Sequence, residues 1–191
     1  MSVLIAYASA RPSTAVIAER IADRLVKAGF VALVHPLDQV ESIRPSQPVI
    51  IGSDVRDHEW LPDACRFLQR FSRELARSPV WLFSTGAHAE VGSFGPKIAA
   101  LVHDASDQSA AVSSARDMIR VRDHRYFGGA FERGSWRSLG DMFLRICGGS
   151  PPDPRDWRDV NAWTAGIARE LQHIDHLKER RRLHLSVRGR P

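Results

Sequence analysis

The sequence predicts an α/β fold: a doubly wound sheet of five parallel strands in the order 2-1-3-4-5, with helices on both faces. Short apolar segments alternate along the chain with segments of helical periodicity, which is typical of strand-helix repeats. The short segments are almost wholly apolar, as expected of strands buried on both faces. With 191 residues, 43% of them hydrophobic, the chain is long enough for one such domain.

Five segments are predicted as strands. The first runs into a loop rich in hydroxyl groups, the second ends at Pro36, and the third closes on Gly52 and Ser53. The fourth ends in the polar tripeptide 84–86. The predicted strands are Val3–Tyr7, Phe30–Val34, Val49–Ile51, Val80–Phe83 and Arg125–Phe131.

Five further segments have the apolar spacing of helices. The first places Ile17, Ile21 and Leu25 on one face, and the last begins with Asp153 as N-cap and continues through Ile174. We interpret these apolar stripes as core faces. The predicted helices are 14–28, 63–76, 108–119, 136–147 and the final one that starts after Asp153.

Basic charge is concentrated near the C-terminal end of the sequence. Between Lys178 and Arg190 six basic residues face one acid, a balance of +5 that equals the net charge of the whole chain. We therefore divide the chain into a domain of residues 1–177 and a basic tail of residues 178–191. The tail is either a solvated, partly frayed end or a patch that contacts an anionic membrane surface. No aromatic residue is interleaved with its arginines, which argues against nucleic acid.

Other features of the sequence favour a cytoplasmic protein. No run of eighteen apolar residues could span a membrane, and the N-terminus lacks a basic leader. Cys65 and Cys147 have no metal-binding spacing, and we expect both to be reduced thiols and no metal site.

Three loops, at residues 8–14, 53–61 and 84–93, follow strands 1, 3 and 4. In a sheet of this order, ligands bind beyond the C-terminal strand ends, where the strand order reverses. The first loop combines the hydroxyls of Ser9, Ser13 and Thr14 with the cation of Arg11 and a helix N-terminus, all of which favour a phosphate. Alternatively, Ser13 or Thr14 only caps the helix.

A receiver domain, the other phosphate-linked class with such a sheet, is not favoured. It requires a pair of acids after strand 1 and a lysine after strand 5. Here Tyr7, Ala8 and Ser9 follow the first strand, and no lysine follows the fifth.

Over residues 3 to about 173 the chain resembles the flavodoxin-domain family, and within it the flavodoxin-type protoporphyrinogen oxidases, which are quinone-linked flavoproteins. The most distinctive part is the pair of glycines after an apolar helix, followed by Asp156 and Trp157. The resemblance rests on LIAYASARPSTAVIAERIADRL, VIIGSDVRDHEWLPDACRFLQRF, PVWLFSTG, DHRYFGGAFERGSW and LRICGGSPPDPRDWRDVNAW.

This resemblance implies a flavodoxin-like fold, an FMN cofactor and electron transfer, with a quinone or a porphyrin as partner. An apolar helix at 136–147 beside the site would suit such a partner, or would simply be one more core helix. No catalytic residue of the protein is implied, because the flavin carries the electrons. The implied phosphate site comprises Ser9, Ala10, Arg11, Pro12, Ser13 and Thr14. The implied ring site comprises Asp54, Val55, Arg56, Asp57 and His58 on one side and Ser84, Thr85 and Gly86 on the other.

The sequence departs from the family pattern in three places. Pro12 replaces a usual glycine, which removes an N–H donor and fixes φ. Asp57 and His58 replace a neutral residue and a glycine beside the ring, and the long loop 84–96 has no match that we can place, with His88 read as a solvated loop histidine. These departures favour an alternative: a flavodoxin-fold protein that no longer binds FMN and acts as a non-enzymatic interaction protein.

Overall fold

The computed structural model describes residues 1–9, 12–57, 59–86, 110–128 and 154–188. The strands are β1 (Ser2–Ala8), β2 (Val31–Pro36), β3 (Val49–Arg56), β4 (Glu59–Trp60), β5 (Val80–Gly86) and β6 (Val121–Gly128). The helices are α1 (Pro12–Lys27), α2 (Pro62–Arg70), α3 (Ser72–Leu75), α4 (Ala110–Met118) and α5 (Pro154–Arg188), with a 3-10 turn at Leu37–Gln39.

The five long strands form a parallel sheet in the order β2-β1-β3-β5-β6. This confirms the predicted order, because β5 and β6 are the predicted fourth and fifth strands. The two-residue strand β4 was not predicted, and it pairs antiparallel with the end of β3. Two residues are too few to show a strand pattern in a sequence.

Two apolar clusters cover the two faces of the sheet. On one face, α2, α3 and α4 contribute side chains that include Phe67, Leu75 and Val112. On the other face, α1 and α5 contribute side chains that include Ile21 and Leu171, both fully buried. The apolar stripes predicted for these helices are therefore core faces, and the doubly wound architecture is confirmed.

The third strand is five residues longer than predicted. It continues through Gly52 and Ser53 to Arg56, so residues 53–56 are strand and not loop. The extension pairs with β5 on one side and turns back onto β4. Glycine is required at position 52 because a Cβ there would lie 2.0 Å from the ring of Phe83.

Other predicted boundaries move for local reasons. The fifth strand begins at Val121 and not at Arg125, since polar residues alternate along this edge of the sheet and hide its start. Pro36 belongs to β2, where proline is tolerated because the strand lies at the other edge. The predicted helix 63–76 is divided at Phe71 into α2 and α3.

Helix α5 has 35 residues, whereas the longest strands have 8 residues. At about 1.5 Å per helical residue and 3.3 Å per strand residue, the helix is much longer than the strands that it packs against. Its side chains are buried as far as Leu171, and its backbone continues as helix to Arg188. The basic tail is therefore helical from Lys178 to Arg188, and both interpretations of it, a solvated end and a patch on an anionic surface, stay predictions. No helix in the described ranges is long and apolar enough to cross a membrane. The predicted helix 136–147 and Asp153 lie outside the described residues.

Candidate functional site

The C-terminal ends of β1, β3 and β5 lie side by side. Ala8 pairs with Ser53, Ser53 pairs with Ser84, and Asp54 pairs with Thr85. The expectation that predicted strands 1, 3 and 4 end side by side at one edge of the sheet is confirmed by this register. We call it the carboxyl edge.

Buried polar side chains are concentrated at the carboxyl edge. None of them is more than 6% exposed, in a region where an unbonded polar group would be unfavourable by roughly 1–3 kcal/mol. The edge therefore depends on specific hydrogen bonds in addition to apolar packing. The buried polar residues here are Thr14, Ser53, Asp54, Ser84, Thr85 and His124.

The first turn of α1 begins at the carboxyl edge. The helix begins at Pro12, two residues earlier than the predicted start at Thr14, so Pro12 and Ser13 belong to the helix although a loop was predicted for them. Proline is favoured at this position because its fixed φ suits the helix and its missing N–H would have no partner within the helix. The N–H groups of Ser13 and Thr14 also lack acceptors within the helix. Pro12 therefore removes one donor without distorting the turn.

A buried hydrogen bond joins this first turn to β5. The hydroxyl oxygens of Thr14 and Thr85 are 2.7 Å apart, and both residues are almost fully buried. The bond brings the predicted phosphate-site and ring-site segments into direct contact across 71 residues of sequence.

The hydroxyl of Ser84 is directed toward the other face of the sheet. It accepts a hydrogen bond from Nε1 of Trp60 at 2.8 Å and lies 2.8 Å from Nε2 of His124. Because this hydroxyl is fully buried and already bonded to two neighbours, it is not open to a ligand. Of the predicted contact between Ser84 and a flavin ring, only a contact through the Ser84 backbone stays a prediction.

The end of β3 and β4 form a short hairpin. Ser53 accepts a hydrogen bond from the amide of Leu61 at 3.1 Å and donates to the carbonyl of Asp54 at 2.9 Å. In the turn, Asp57 has a φ of 50°, in the left-handed region that aspartate tolerates better than most residues. Arg56 and Asp57 are exposed, whereas Asp54 is only 1% exposed.

The buried carboxylate of Asp54 influences Tyr126 on β6. Burial of the phenol, and then the nearby Asp54 charge, raise the pKa of Tyr126 far above its usual value of 10.0. Tyr126 pairs with Ser84 in the sheet, so this phenol also lies beside the carboxyl edge.

The structure locates the remaining predicted site residues only in part. Ser9 is exposed and follows β1, Val55 is half-buried, and Gly86 ends β5. Ala10, Arg11 and His58 lie outside the described residues, as does the loop from position 87 with His88.

Sequence reasoning missed Trp60, His124 and Tyr126. Strand β6 carries two of them in the polar run DHRY, which gives no apolar strand pattern. The alternation of a strand does offer a signal for the direction of Ser84. Leu82 packs in the cluster beneath α2 and Phe83 in the cluster beneath α1, so Ser84 and Thr85 must diverge in the same way.

A doubly wound α/β domain with polar groups at its carboxyl edge is the class of protein that the fold defines, and comparison with known families identifies the family. Residues 4–130 match the model of the flavodoxin domain, a stretch that runs from within β1 to the end of β6 and includes the whole carboxyl edge. The chain belongs to the flavodoxin-domain family. No curated protein matches its sequence significantly.

Solved structures agree with this fold. A flavodoxin from the domain Archaea is 13% identical, with a TM-score of 0.58 over 91% of this chain and 100% of its own. A flavodoxin from Pseudomonas aeruginosa is 15% identical, with a TM-score of 0.57 over 90% of this chain and 99% of its own. The rubredoxin oxygen:oxidoreductase of Desulfovibrio gigas is 14% identical, with a TM-score of 0.54 over 90% of this chain and 36% of its own. At these identities the likeness establishes the fold.

Proposed function

We propose that this chain binds FMN at the carboxyl edge and acts as an electron-transfer flavoprotein. The observation that carries the proposal is the Thr14–Thr85 hydrogen bond, which joins an anion-favouring helix start to the strand end beside Asp54. It lies within the stretch that matches the flavodoxin domain. When bound, FMN would supply the redox chemistry, because its ring accepts and releases electrons.

The residues present fit the phosphate of FMN. The first-turn amides of Ser13 and Thr14 carry the partial positive charge of a helix N-terminus, which favours an anion. The buried bond between the Thr14 and Thr85 hydroxyls holds this first turn against β5 before any ligand arrives. From the sequence, we propose that Arg11 and Ser9 complete this subsite and offset the donor that Pro12 lacks.

The residues beside the ring would tune its potential. Asp54 is buried at the end of β3, and Asp57 is exposed in the hairpin turn. Negative charges here would oppose the gain of an electron by a bound ring and lower its midpoint potential. The left-handed turn at Asp57 supplies a backbone bend one residue before position 58, where relatives have a glycine. We propose that Asp54, Val55, Arg56, Asp57 and His58 line one side of the ring, and that Ser84, Thr85 and Gly86 line the other.

A titration with two ligands tests the proposal. Purified protein is freed of small molecules, and FMN or riboflavin is added while flavin fluorescence and visible absorption are recorded. We expect FMN to be bound and its emission to change on binding. Riboflavin, which lacks the phosphate, should bind at least about tenfold more weakly, the effect of losing one or more charge-assisted hydrogen bonds. Protein that leaves the FMN fluorescence unchanged at all concentrations would contradict the proposal.

A finer proposal concerns the substrate. The resemblance of residues 144–163 to flavodoxin-type protoporphyrinogen oxidases supports oxidation of a porphyrinogen with a quinone as acceptor. Trp157 of that stretch packs at the α1–α5 contact, with the Arg20 guanidinium 5.5 Å from its ring centroid. FMN-loaded protein should then convert protoporphyrinogen to a fluorescent porphyrin faster when a quinone is added. FMN binding without this reaction would leave an electron carrier of another pathway.

The rival proposal is a non-enzymatic interaction protein with a degenerate site. Its support is the basic stretch from Lys178, which continues α5 as far as Arg188 and would suit peripheral contact with an anionic membrane. If FMN does not bind, removal of residues 178–191 should weaken binding to anionic vesicles, and salt should do the same. Equal binding by the full and shortened chains at low salt would contradict this rival.

A further inference from the structure

A buried chain of polar side chains connects three strands beneath the carboxyl edge. Nε1 of Trp60 on β4 is 2.8 Å from the hydroxyl of Ser84 on β5, which is 2.8 Å from Nε2 of His124 on β6. The three residues are 3%, 0% and 6% exposed. The rings of Trp60 and His124 also contact each other edge to face, with centroids 6.4 Å apart. We call these residues the Trp-Ser-His relay.

The chemistry of the groups gives the relay a direction. The indole N–H can only donate, so Ser84 must accept from Trp60. The arrangement that satisfies all three groups with the two observed bonds has the Ser84 hydroxyl donating to Nε2 of His124. In it, His124 is neutral and carries its proton on Nδ1.

The relay ends on the hairpin that flanks the proposed ring site. Trp60 pairs with Val55, and the turn at Asp57 lies between them. The hairpin is also held by the Leu61 amide, which follows β4 and donates to Ser53 on β3. The amide thus closes the hairpin on its own first strand, whereas the indole ties the hairpin to β5. His124 lies two strands away and makes the hairpin depend on the far edge strand.

We propose that His124 is a positioning residue: through Ser84 and Trp60 it fixes the β3–β4 hairpin turn beside the flavin. The inference rests on the proposed FMN site for its effect on a ligand. Its effect on the hairpin does not need a ligand and can be measured without one.

Two substitutions at one position separate hydrogen bonding from packing. His124→Gln keeps an acceptor oxygen near the place of Nε2, whereas His124→Leu fills similar space with no acceptor. We expect the leucine variant to bind FMN about tenfold more weakly and to shift the flavin midpoint potential. The FMN affinity of the glutamine variant should stay within about threefold of that of the unaltered protein, a change no larger than the weakening of one hydrogen bond would cause. Equal losses in both variants, or none in either, would overturn the proposal.

Hydrogen exchange of the FMN-free protein provides the second readout. His124→Leu should speed exchange of the amides of Glu59, Trp60 and Leu61, while exchange of β1 amides stays unchanged. If the leucine variant does not fold, Ser84→Ala removes the hydroxyl that joins Trp60 to His124 with little change of side-chain volume and should give the same pattern. Unchanged exchange at the hairpin in the folded variant would overturn the positioning role. Failure of all variants and the unaltered protein to bind FMN would instead overturn the proposed function, with the exchange result unaffected.

Discussion

The two ends of the same strands are built on different principles. At their N-terminal halves, side chains such as Ile5, Ile50 and Trp81 are apolar and at most 1% exposed. At the carboxyl edge, side chains such as Thr85 and Ser84 are just as buried but polar, with named hydrogen-bond partners. The stability of the first region depends on how well its side chains fill the available volume, and that of the second depends on whether its polar groups have hydrogen-bond partners. We therefore expect substitutions in the two regions to affect stability and ligand binding in different proportions.

The largest loss of stability is expected in the apolar region. Phe83 is fully buried, and its ring lies 6.1 Å from that of Phe127 and 6.3 Å from that of Trp163. Phe83→Ala should lower the free energy of unfolding by about 3–5 kcal/mol, because a large cavity remains. Urea unfolding followed by circular dichroism measures this, with Phe83→Leu as the milder control. A loss below about 1 kcal/mol would show that the region adapts more freely than close packing permits.

A smaller loss is expected where the two regions meet. Gly52→Ala places a methyl group 2.0 Å from the Phe83 ring and should lower the unfolding free energy by about 1–3 kcal/mol. Gly166→Ala in α5 is the matched control, since nothing lies within 4 Å of its added methyl group. That variant should be stabilised by about 0.5–1 kcal/mol, because alanine favours a helix interior. Equal effects of the two substitutions would contradict the close approach at Gly52.

At the carboxyl edge, stability and binding should separate. Thr14→Val or Thr85→Val alone leaves one buried hydroxyl without its partner, at a loss of about 1–3 kcal/mol. The double variant removes both groups and should recover most of that stability. Its FMN affinity should nevertheless fall at least about tenfold, because the first turn of α1, with its proposed phosphate-binding amides, is no longer tied to β5.

Thr164→Val is the control for this pair. Thr164 is equally buried, but its hydroxyl donates to the carbonyl of Val160 within α5. FMN affinity should not change in this variant. A double variant at positions 14 and 85 that binds FMN as tightly as the unaltered protein would exclude the hydroxyl pair from the site.

The difference between the regions also explains how far the sequence could be read. Apolar strands such as Val80–Phe83 predict the parallel sheet, its order and the edge where the loops meet. The extension of β3 through Asp54 was not predicted. A charged residue gives no apolar strand pattern, and Asp54 belongs to the strand because it pairs with Thr85, which is distant in sequence. The partners of Ser84 were missed since they lie 24 and 40 residues away, and polar pairing leaves no periodic trace. The direction of Ser84 follows from strand alternation, once the strand is known to continue beyond Phe83.

The smallest effect is expected from the ionisation of Tyr126, beside the carboxyl edge. Burial and the Asp54 charge raise the pKa of Tyr126 in the folded protein, so the unfolded chain loses this proton first as the pH rises. The stabilising contribution is complete below about pH 10 and declines above it, by at most about 1.4 kcal/mol per pH unit. Tyr126→Phe should remove this part of the decline. Urea midpoints measured at neutral and at alkaline pH give the comparison.

Tyr7 is the matched control for this titration, since the chain contains only these two tyrosines. Burial, followed by the charges of Glu19 and Asp38, raises the pKa of Tyr7 as well, but less than that of Tyr126. Tyr7→Phe should therefore remove a smaller part of the alkaline loss of stability. In that variant the near-ultraviolet tyrosinate absorbance comes from Tyr126 alone and should rise at a higher pH in the folded protein than in the urea-unfolded chain. Tyrosinate absorbance that rises near pH 10 in folded protein would mean that the phenol is not shielded, and that the edge is open to water there.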